Sequence, residues 1–216
     1  MKYDLVLFDL DGTLLDTLDD LKNAVNVTVT KRGNPPRSRE EVRLAIGNGL
    51  LKLIARSLPA GTPDEAVQCA VSDFKAYYDS HIDVETRPYP GIIDLLNALV
   101  AAGVQIGINS NKYDAAVKKL CESHLNGFYT HAFGESEETP KKPSPIAANR
   151  IVRELGIDKT RVLYVGDSAV DLKTAQNAGI AAAWVSWGFR TRDEMGDLKD
   201  IPAFDDVGAL KKYILG

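Results

Sequence analysis

The sequence predicts a three-layer α/β/α fold, an open, mostly parallel sheet with helices on both faces and an α-helical cap domain inserted near its start. Three observations predict it. Short apolar runs alternate with helix-period segments, glycines follow several of those segments, and residues 16–87 break the rhythm with helical patterns alone. The first run, Leu5, Val6, Leu7 and Phe8, is apolar at every position, as a strand buried on both faces of a parallel sheet is. Like runs lie at 104–109, 162–165 and 181–185, with a weaker one at 130–133. Helical patterns cover 92–102, 113–124, 145–155 and 170–178. Gly103, Gly156 and Gly179 follow three of these, where a left-handed residue closes a helix.

Within the insert, Leu18, Leu21, Val25 and Val29 recur every three or four residues and mark one amphipathic helix ending at Gly33-Asn34-Pro35-Pro36. Ser38 with Glu41 is a capping-box signature for a second, and Leu50, Leu53 and Ile54 mark a third. Thr62-Pro63-Asp64-Glu65 combines an N-cap, a proline at the first helical position and a reciprocal Glu. It opens a fourth helix with Val67, Ala70, Val71, Phe74 and Tyr78 on its apolar face. The expected division is an α/β core of residues 1–15 and 88–216 and a helical cap of residues 16–87. The chain returns through Arg87-Pro88-Tyr89-Pro90-Gly91, whose prolines suit a stiff hinge.

Composition excludes several function classes. The 26 basic and 30 acidic residues leave a net charge of −4 with no basic run, so nucleic acid, whose binding rests on phosphate neutralisation, is not an expected partner. Cys69 and Cys121 stand far apart without neighbours at ligand spacing, which argues against a thiolate zinc site and for a reducing compartment. The apolar start is too short for a signal peptide, and no stretch approaches the ~20 apolar residues that cross a bilayer. A cytoplasmic monomer or homodimer without membrane partners is expected.

Asp9 and Asp11 follow the first run. Two apart on an extended chain, they point to the same side, roughly 6.6 Å apart at Cα. Gly12 then permits a sharp turn, which the Thr13 hydroxyl can tie. Alone, this Asp-x-Asp reads equally well as an acidic turn. An EF-hand loop is excluded because Leu14 stands where glycine is required, and there is no P-loop motif. Other strand ends carry Ser110 with Asn111 and Lys112, and Asp167 with Ser168 and, further on, Asp171; Lys142 precedes a helix. Singly, Ser110 or Asp167 reads as a helix N-cap and Lys142 as a solvated charge. Jointly they face one crevice, since ligands of open α/β sheets bind beyond the carboxyl ends of the strands. Two carboxylates about 4 Å apart repel by about 4 kcal/mol at an effective dielectric near 20. Asp9, Asp11 and Asp167 converging there require a cation, and oxygen ligands without His or Cys point to Mg²⁺. His81, His124 and His131 lack ligand spacing and read as structural or surface residues.

These segments resemble the four motifs of the haloacid dehalogenase superfamily. Asp9-Leu10-Asp11-Gly12-Thr13-Leu14-Leu15-Asp16 matches the first, Ser110 the second, Lys142 the third and Gly166-Asp167-Ser168-Ala169-Val170-Asp171 the fourth. The helical insert resembles the cap of the phosphoglycolate phosphatase-like branch. The resemblance implies a Rossmann-like core and a Mg²⁺-dependent phosphate monoester hydrolase of a small phosphorylated metabolite, 2-phosphoglycolate or similar. Asp9 would then form an aspartyl-phosphate, and Asp11 would act as acid and then base. Mg²⁺ would be held by Asp9, the backbone carbonyl of Asp11 and Asp167. Ser110, the amide of Asn111 and Lys142 would hold the phosphoryl oxygens. Asp171 would orient Lys142 or a metal-bound water, with Thr13 and Ser168 beside it. The loop Gly47-Asn48-Gly49 resembles the branch's substrate-facing cap loop, although a helix–helix turn needing glycine also accounts for it. Trp187-Gly188-Phe189 resembles the branch too, while Gly134-Glu135 departs from a common Gly-Asp and Ser110 replaces a frequent Thr.

Rival readings share this core. Asp11 disfavours dehalogenation, since the superfamily's dehalogenases lack that second acid. A β-phosphoglucomutase-like isomerase would carry a cap His and an aromatic where this chain reads Thr17-Leu18-Asp19-Asp20-Leu21. A pyrophosphatase would release phosphate from pyrophosphate. A non-catalytic regulator would not need both Asp9 and Asp11.

Overall fold

A computed structural model describes residues 2–196 and 200–216. Strand β1 (Leu5–Phe8) leads through the Asp9–Asp11 turn to β2 (Leu15–Asp16). Helices α1 (Leu18–Thr30), α2 (Arg39–Ala45), α3 (Leu50–Ser57) and α4 (Asp64–His81) make up the insert, and the chain returns through β3 (Arg87–Pro88). There follow α5 (Ile92–Ala101), β4 (Gln105–Tyr113), α6 (Asp114–Leu125), β5 (His131–Glu135) and α7 (Ile146–Leu155). The chain ends with β6 (Val162–Gly166), α8 (Ala169–Ala178), β7 (Ala181–Val185), α9 (Arg192–Met195), β8 (Ala203–Phe204) and α10 (Val207–Leu215).

Among the described residues six strands pair in parallel in the order β5-β4-β1-β6-β7-β8. β1 is central, so its side chains are buried on both faces: Leu5 and Leu7 pack with Ile151 of α7 and Ala175 of α8, Val6 and Phe8 in the layer of Leu95 of α5 and Leu120 of α6. Each such side chain stabilises the fold by about 1.5–3 kcal/mol. Parallel pairing brings every carboxyl end to one edge, and there the Asp9 N–H still donates to Val165 O at 2.9 Å.

The structure departs from the sequence reading in places. β4 continues beyond residue 109 to Tyr113, because a shift of register after Asn109 lets Tyr113 pair with Glu135. The insert begins and ends at an antiparallel ribbon, Leu15 opposite Pro88 and Asp16 opposite Arg87. The Ser38–Glu41 capping box forms, but Thr62 does not cap α4: its hydroxyl donates to Pro59 O at 2.7 Å and the helix starts at Asp64. One buried carboxylate closes the insert. Asp20 of α1 accepts from the N–H groups of Val84, Glu85 and Thr86 at 3.1, 3.0 and 2.9 Å, and from the Thr86 hydroxyl at 2.8 Å.

Insert and core meet on two sides. On one, Asp79 accepts from the Tyr113 hydroxyl at 2.5 Å and Asp83 lies 2.5 Å from His124 Nε2. On the other, Arg43 pairs with Glu194 at 2.8 Å, while Arg190 donates to the carbonyls of Arg43 and Ile46. No helix of the described residues is long and apolar enough to cross a membrane.

Candidate active site

The residues beyond the strand ends line one cleft between core and insert: Asp9, Asp11, Ser110, Asn111, Lys142 and Asp167 from the core, with Gly47 and Gly49 from the insert. Asp9 follows β1 and is buried. Its Oδ1 accepts from the Leu10 N–H at 2.7 Å and lies 2.7 Å from Lys142 Nζ; its Oδ2 takes no hydrogen bond from the described residues. Lys142 Nζ is also 2.7 Å from Asp171 Oδ1. The other Asp171 oxygen accepts from the Ser168 hydroxyl at 2.5 Å and the Ser168 N–H at 3.1 Å. Asp167 lies just beyond β6. Its Oδ2 accepts from the Phe189 N–H at 2.6 Å, and its carbonyl accepts from Trp184 Nε1 at 2.8 Å. This packing needs the glycines at 12 and 188: a Cβ at Gly188 would lie 2.2 Å from Gly12 O, and one at Gly12 would lie 2.6 Å from Asp167 Oδ2.

Carboxylate oxygens of Asp9, Asp167 and Asp171 lie within 4.8 Å of one another. Three carboxylates against the single Lys142 ammonium leave two negative charges uncompensated. Burial therefore drives Asp9 well above the usual carboxylate range, with Asp171 and Asp167 adding to the rise against the pull of Lys142. Burial, with Asp171 beside it, pushes Asp167 up to about 7 although the Phe189 N–H opposes this. Burial works against the Lys142 ammonium, but Asp171 and Asp9 hold it well above the usual lysine range. An oxygen-only donor set with an excess of two negative charges fits Mg²⁺.

The carboxylate of Asp11 does not join this cluster, a correction to the expected trio of Asp9, Asp11 and Asp167. Its Oδ1 accepts from the Thr17 hydroxyl at 2.6 Å and from Lys112 Nζ at 3.0 Å, and its Oδ2 lies 3.5 Å from the Ser110 hydroxyl. Only the Asp11 backbone carbonyl is left as a ligand candidate. Asp171 takes the third place among the carboxylates, but both of its oxygens are engaged, so it acts on Lys142. Thr13 is a second correction: its hydroxyl is buried without a hydrogen-bond partner among the described residues, and the turn is tied by backbone N–H groups of residues 13–15 on Leu10 O and by Trp187 Nε1 on Thr13 O at 3.1 Å.

The Asn111 side chain pins neighbours in place. Its Oδ1 accepts from the Lys142 N–H at 2.6 Å, and its Nδ2 donates to Gly47 O and Lys142 O at 3.3 Å each. In the cap loop, Asn48 turns its side chain away to Arg56 Nη2 at 2.7 Å, so Gly47 and Gly49 alone of these three line the cleft. The sequence reading placed Lys112 at the strand end beside Ser110 but gave it no role, and it passed over Trp184 and Arg190. Lys112 was readable: two residues past Ser110 on a continuing strand, it reaches the same carboxylate.

The model of the haloacid dehalogenase-like hydrolase family matches residues 6–185. A phosphoglycolate phosphatase 1 of Pseudomonas aeruginosa is 36% identical over 192 residues, which span 86% of this chain and 70% of that protein. A crystal structure from Lactobacillus delbrueckii subsp. bulgaricus, provisionally assigned as a phosphoglycolate phosphatase, matches 100% of both chains with a TM-score of 0.92 at 31% identity. CbbY from Rhodobacter sphaeroides, solved in complex with phosphate, matches with a TM-score of 0.72 at 28% identity, over 93% of this chain and 92% of that one. The matched segment contains every motif residue that builds the cleft, from Asp9 to Asp171, and the chain belongs to the haloacid dehalogenase-like hydrolase family as one of its phosphatases.

Proposed function

We propose that this phosphatase hydrolyses a small phosphate monoester, 2-phosphoglycolate or a close analogue, with Mg²⁺ and through an aspartyl-phosphate on Asp9. The observation that carries this reading is the inequality of the two Asp9 oxygens. Oδ1 is held by the Leu10 N–H and Lys142, whereas Oδ2 has no donor among the described residues and belongs to a residue lining the cleft. A carboxylate fixed at one oxygen and free at the other is suited to attack on phosphorus.

Asp9, Asp167 and the backbone carbonyl of Asp11 would hold Mg²⁺, whose charge neutralises the phosphoryl oxygens when bound. In the first displacement Asp9 Oδ2 bonds to phosphorus while the P–O bond to the leaving group breaks, and Asp11 donates a proton to the departing oxygen. In the second, Asp11 takes a proton from water, the water oxygen bonds to phosphorus, and the Asp9–phosphorus bond breaks. Ser110, Asn111 and Lys142 orient the phosphoryl group, and the insert shields it from bulk water. The names of the relatives support the choice of phosphoglycolate among phosphate esters.

The test is phosphate release from p-nitrophenyl phosphate with Mg²⁺ and with EDTA, followed by a panel of 2-phosphoglycolate, β-glucose 1-phosphate and pyrophosphate. Activity that needs the metal and vanishes in Asp9→Asn, with the fold retained by circular dichroism, is the expected result. Substantial turnover in purified Asp9→Asn would remove the covalent mechanism, and a preference for pyrophosphate would replace the substrate class.

A further inference from the structure

Past Asp11 the cleft holds two polar groups that the displacements do not use. Lys112 of β4 has only 5% of its side chain exposed; its Nζ lies 3.0 Å from Asp11 Oδ1 and 5.0 Å from the centre of the Tyr78 ring. Tyr78 comes from α4 of the insert, lines the same cleft and is completely buried; among the described residues its hydroxyl has no partner at hydrogen-bond distance and geometry, and the Lys112 ammonium beside it interacts with it only weakly. A buried hydroxyl left unpaired costs about 1–3 kcal/mol, so its retention calls for a partner that arrives with the ligand. Lys112 brings three donors and no acceptor, and the Tyr78 hydroxyl can donate as well. The insert walls around them are apolar: Leu21, Leu50, Leu53 and Phe74. Such walls offer nothing to the hydroxyls of a sugar, whereas the donor pair matches a carboxylate.

We propose that Lys112 and Tyr78 form the subsite for the leaving group, reading a carboxylate one carbon away from the ester oxygen. This rests on the phosphatase reading above and names the feature of the substrate that the site selects. The geometry follows from Asp11. To protonate the ester oxygen Asp11 must touch it, and Lys112 is hydrogen-bonded to Asp11, so a carboxylate two bonds beyond that oxygen falls beside the ammonium. Because Lys112 comes from the core and Tyr78 from the insert, the subsite is complete only when the two are packed together, as they are here. Lys112 and Tyr78 are specificity-determining residues in this account, distinct from the groups that touch phosphorus.

The experiment compares kcat/KM for 2-phosphoglycolate with that for 2-hydroxyethyl phosphate, an ester of similar size in which a hydroxymethyl group replaces the carboxylate. Wild type, Tyr78→Phe and Lys112→Met are assayed with saturating Mg²⁺. Wild type is expected to favour the carboxylate ester. Tyr78→Phe should lose about tenfold on 2-phosphoglycolate, mainly through KM, and stay within about threefold on the neutral ester. Lys112→Met also loosens Asp11 and slows both esters, but the ratio between them should collapse by about 100-fold. Tyr78→Phe should leave Tm within a degree or two of wild type, because the hydroxyl it removes has no well-formed hydrogen bond among the described residues. An unchanged ratio in both variants, or a Tm lowered by several degrees in Tyr78→Phe, overturns the subsite while the phosphatase reading stands. If wild type hydrolyses no phosphate ester, the phosphatase reading falls and the subsite with it.

Discussion

The acidic cluster should make the metal-free protein less stable as pH rises, which can be measured without any substrate. Asp167 titrates near 3.8 when unperturbed and is pushed up to about 7 in the folded protein. A folded value above the unfolded one means that the native state binds the proton more tightly. Its contribution to stability is therefore complete below about pH 4 and is lost as pH rises through about 7. A shift of roughly three units at ~1.4 kcal/mol each gives about 4 kcal/mol. Asp9 is shifted in the same direction and adds to the loss. About 2.5 kcal/mol of this is lost between pH 5 and pH 8, and for a chain of this size 1 kcal/mol moves Tm by about 2–4 °C, so the chelated protein should melt about 5–10 °C lower at pH 8 than at pH 5. Carboxylates that are shifted downward, such as Glu194 at about 2 beside Arg43 and the Thr191 N–H, lose their contribution only in more acid solution, outside this window.

Mg²⁺ should reverse the slope. At pH 8 the carboxylates are ready to bind it, whereas at pH 5 the metal must first displace protons. Calorimetric melting in EDTA and in excess Mg²⁺, at pH 5, 6, 7 and 8, reads both effects. The Mg²⁺-induced rise in Tm is expected to be largest at pH 8, and Asp167→Asn should flatten both curves. A chelated wild type whose Tm is constant or rises from pH 5 to pH 8, or a metal shift equal at the two ends, would refute the reasoning about these carboxylates.

The sheet was legible because β1, β6 and β7 are apolar nearly throughout, a pattern that burial on both faces demands. β2, β3 and β8 are two residues each and carry no periodicity to read. They exist through pairing partners distant in sequence, such as Leu15 with Pro88. The motif residues around Asp9 were legible as a convergence of polar groups at strand ends, but the orientation of Asp11 was not. Spacing on an extended chain put Asp9 and Asp11 on one side, yet β1 ends at Phe8 and the chain has already turned by Asp11, which faces Lys112 and Thr17 instead. Lys112 was placed at the strand end but drew no role, because a strand ending at Asn109 leaves its direction open; continuing the strand to Tyr113 turns it to the same carboxylate as Ser110. Arg190 has no local signal at all. Its anchors are the carbonyls of Arg43 and Ile46, far away in sequence on the insert.

Asp11→Asn should lower kcat by about 10²–10⁴-fold on any ester, with a smaller loss for p-nitrophenyl phosphate, whose good leaving group needs little protonation. Asp20→Ala strands the three N–H groups and the hydroxyl it accepts from, and should cost about 3 kcal/mol in urea unfolding; Asp20→Asn, which keeps an acceptor, should cost less. The cap loop gives the last test. With Asn48 turned to Arg56, whatever selection this loop exerts comes from the backbone of Gly47 and Gly49, whose φ angles are 124° and 81°. Gly47→Val with Gly49→Val puts β-branched side chains there at a strain of about 1–3 kcal/mol each. The first atoms they meet are Arg190 Nη2 at 3.2 Å and Glu135 Oε2 at 2.8 Å, both at the ends of side chains that can give way. The damage should therefore stay local: Tm falls by a few degrees, Asp9 and Lys142 remain in place, and p-nitrophenyl phosphate turnover holds within about threefold. Turnover of 2-phosphoglycolate should fall by about tenfold or more, because the narrowed cleft excludes a leaving group that must lie under the loop. Equal losses on both substrates, or none on either, would make the loop a turn that needs glycine and nothing more.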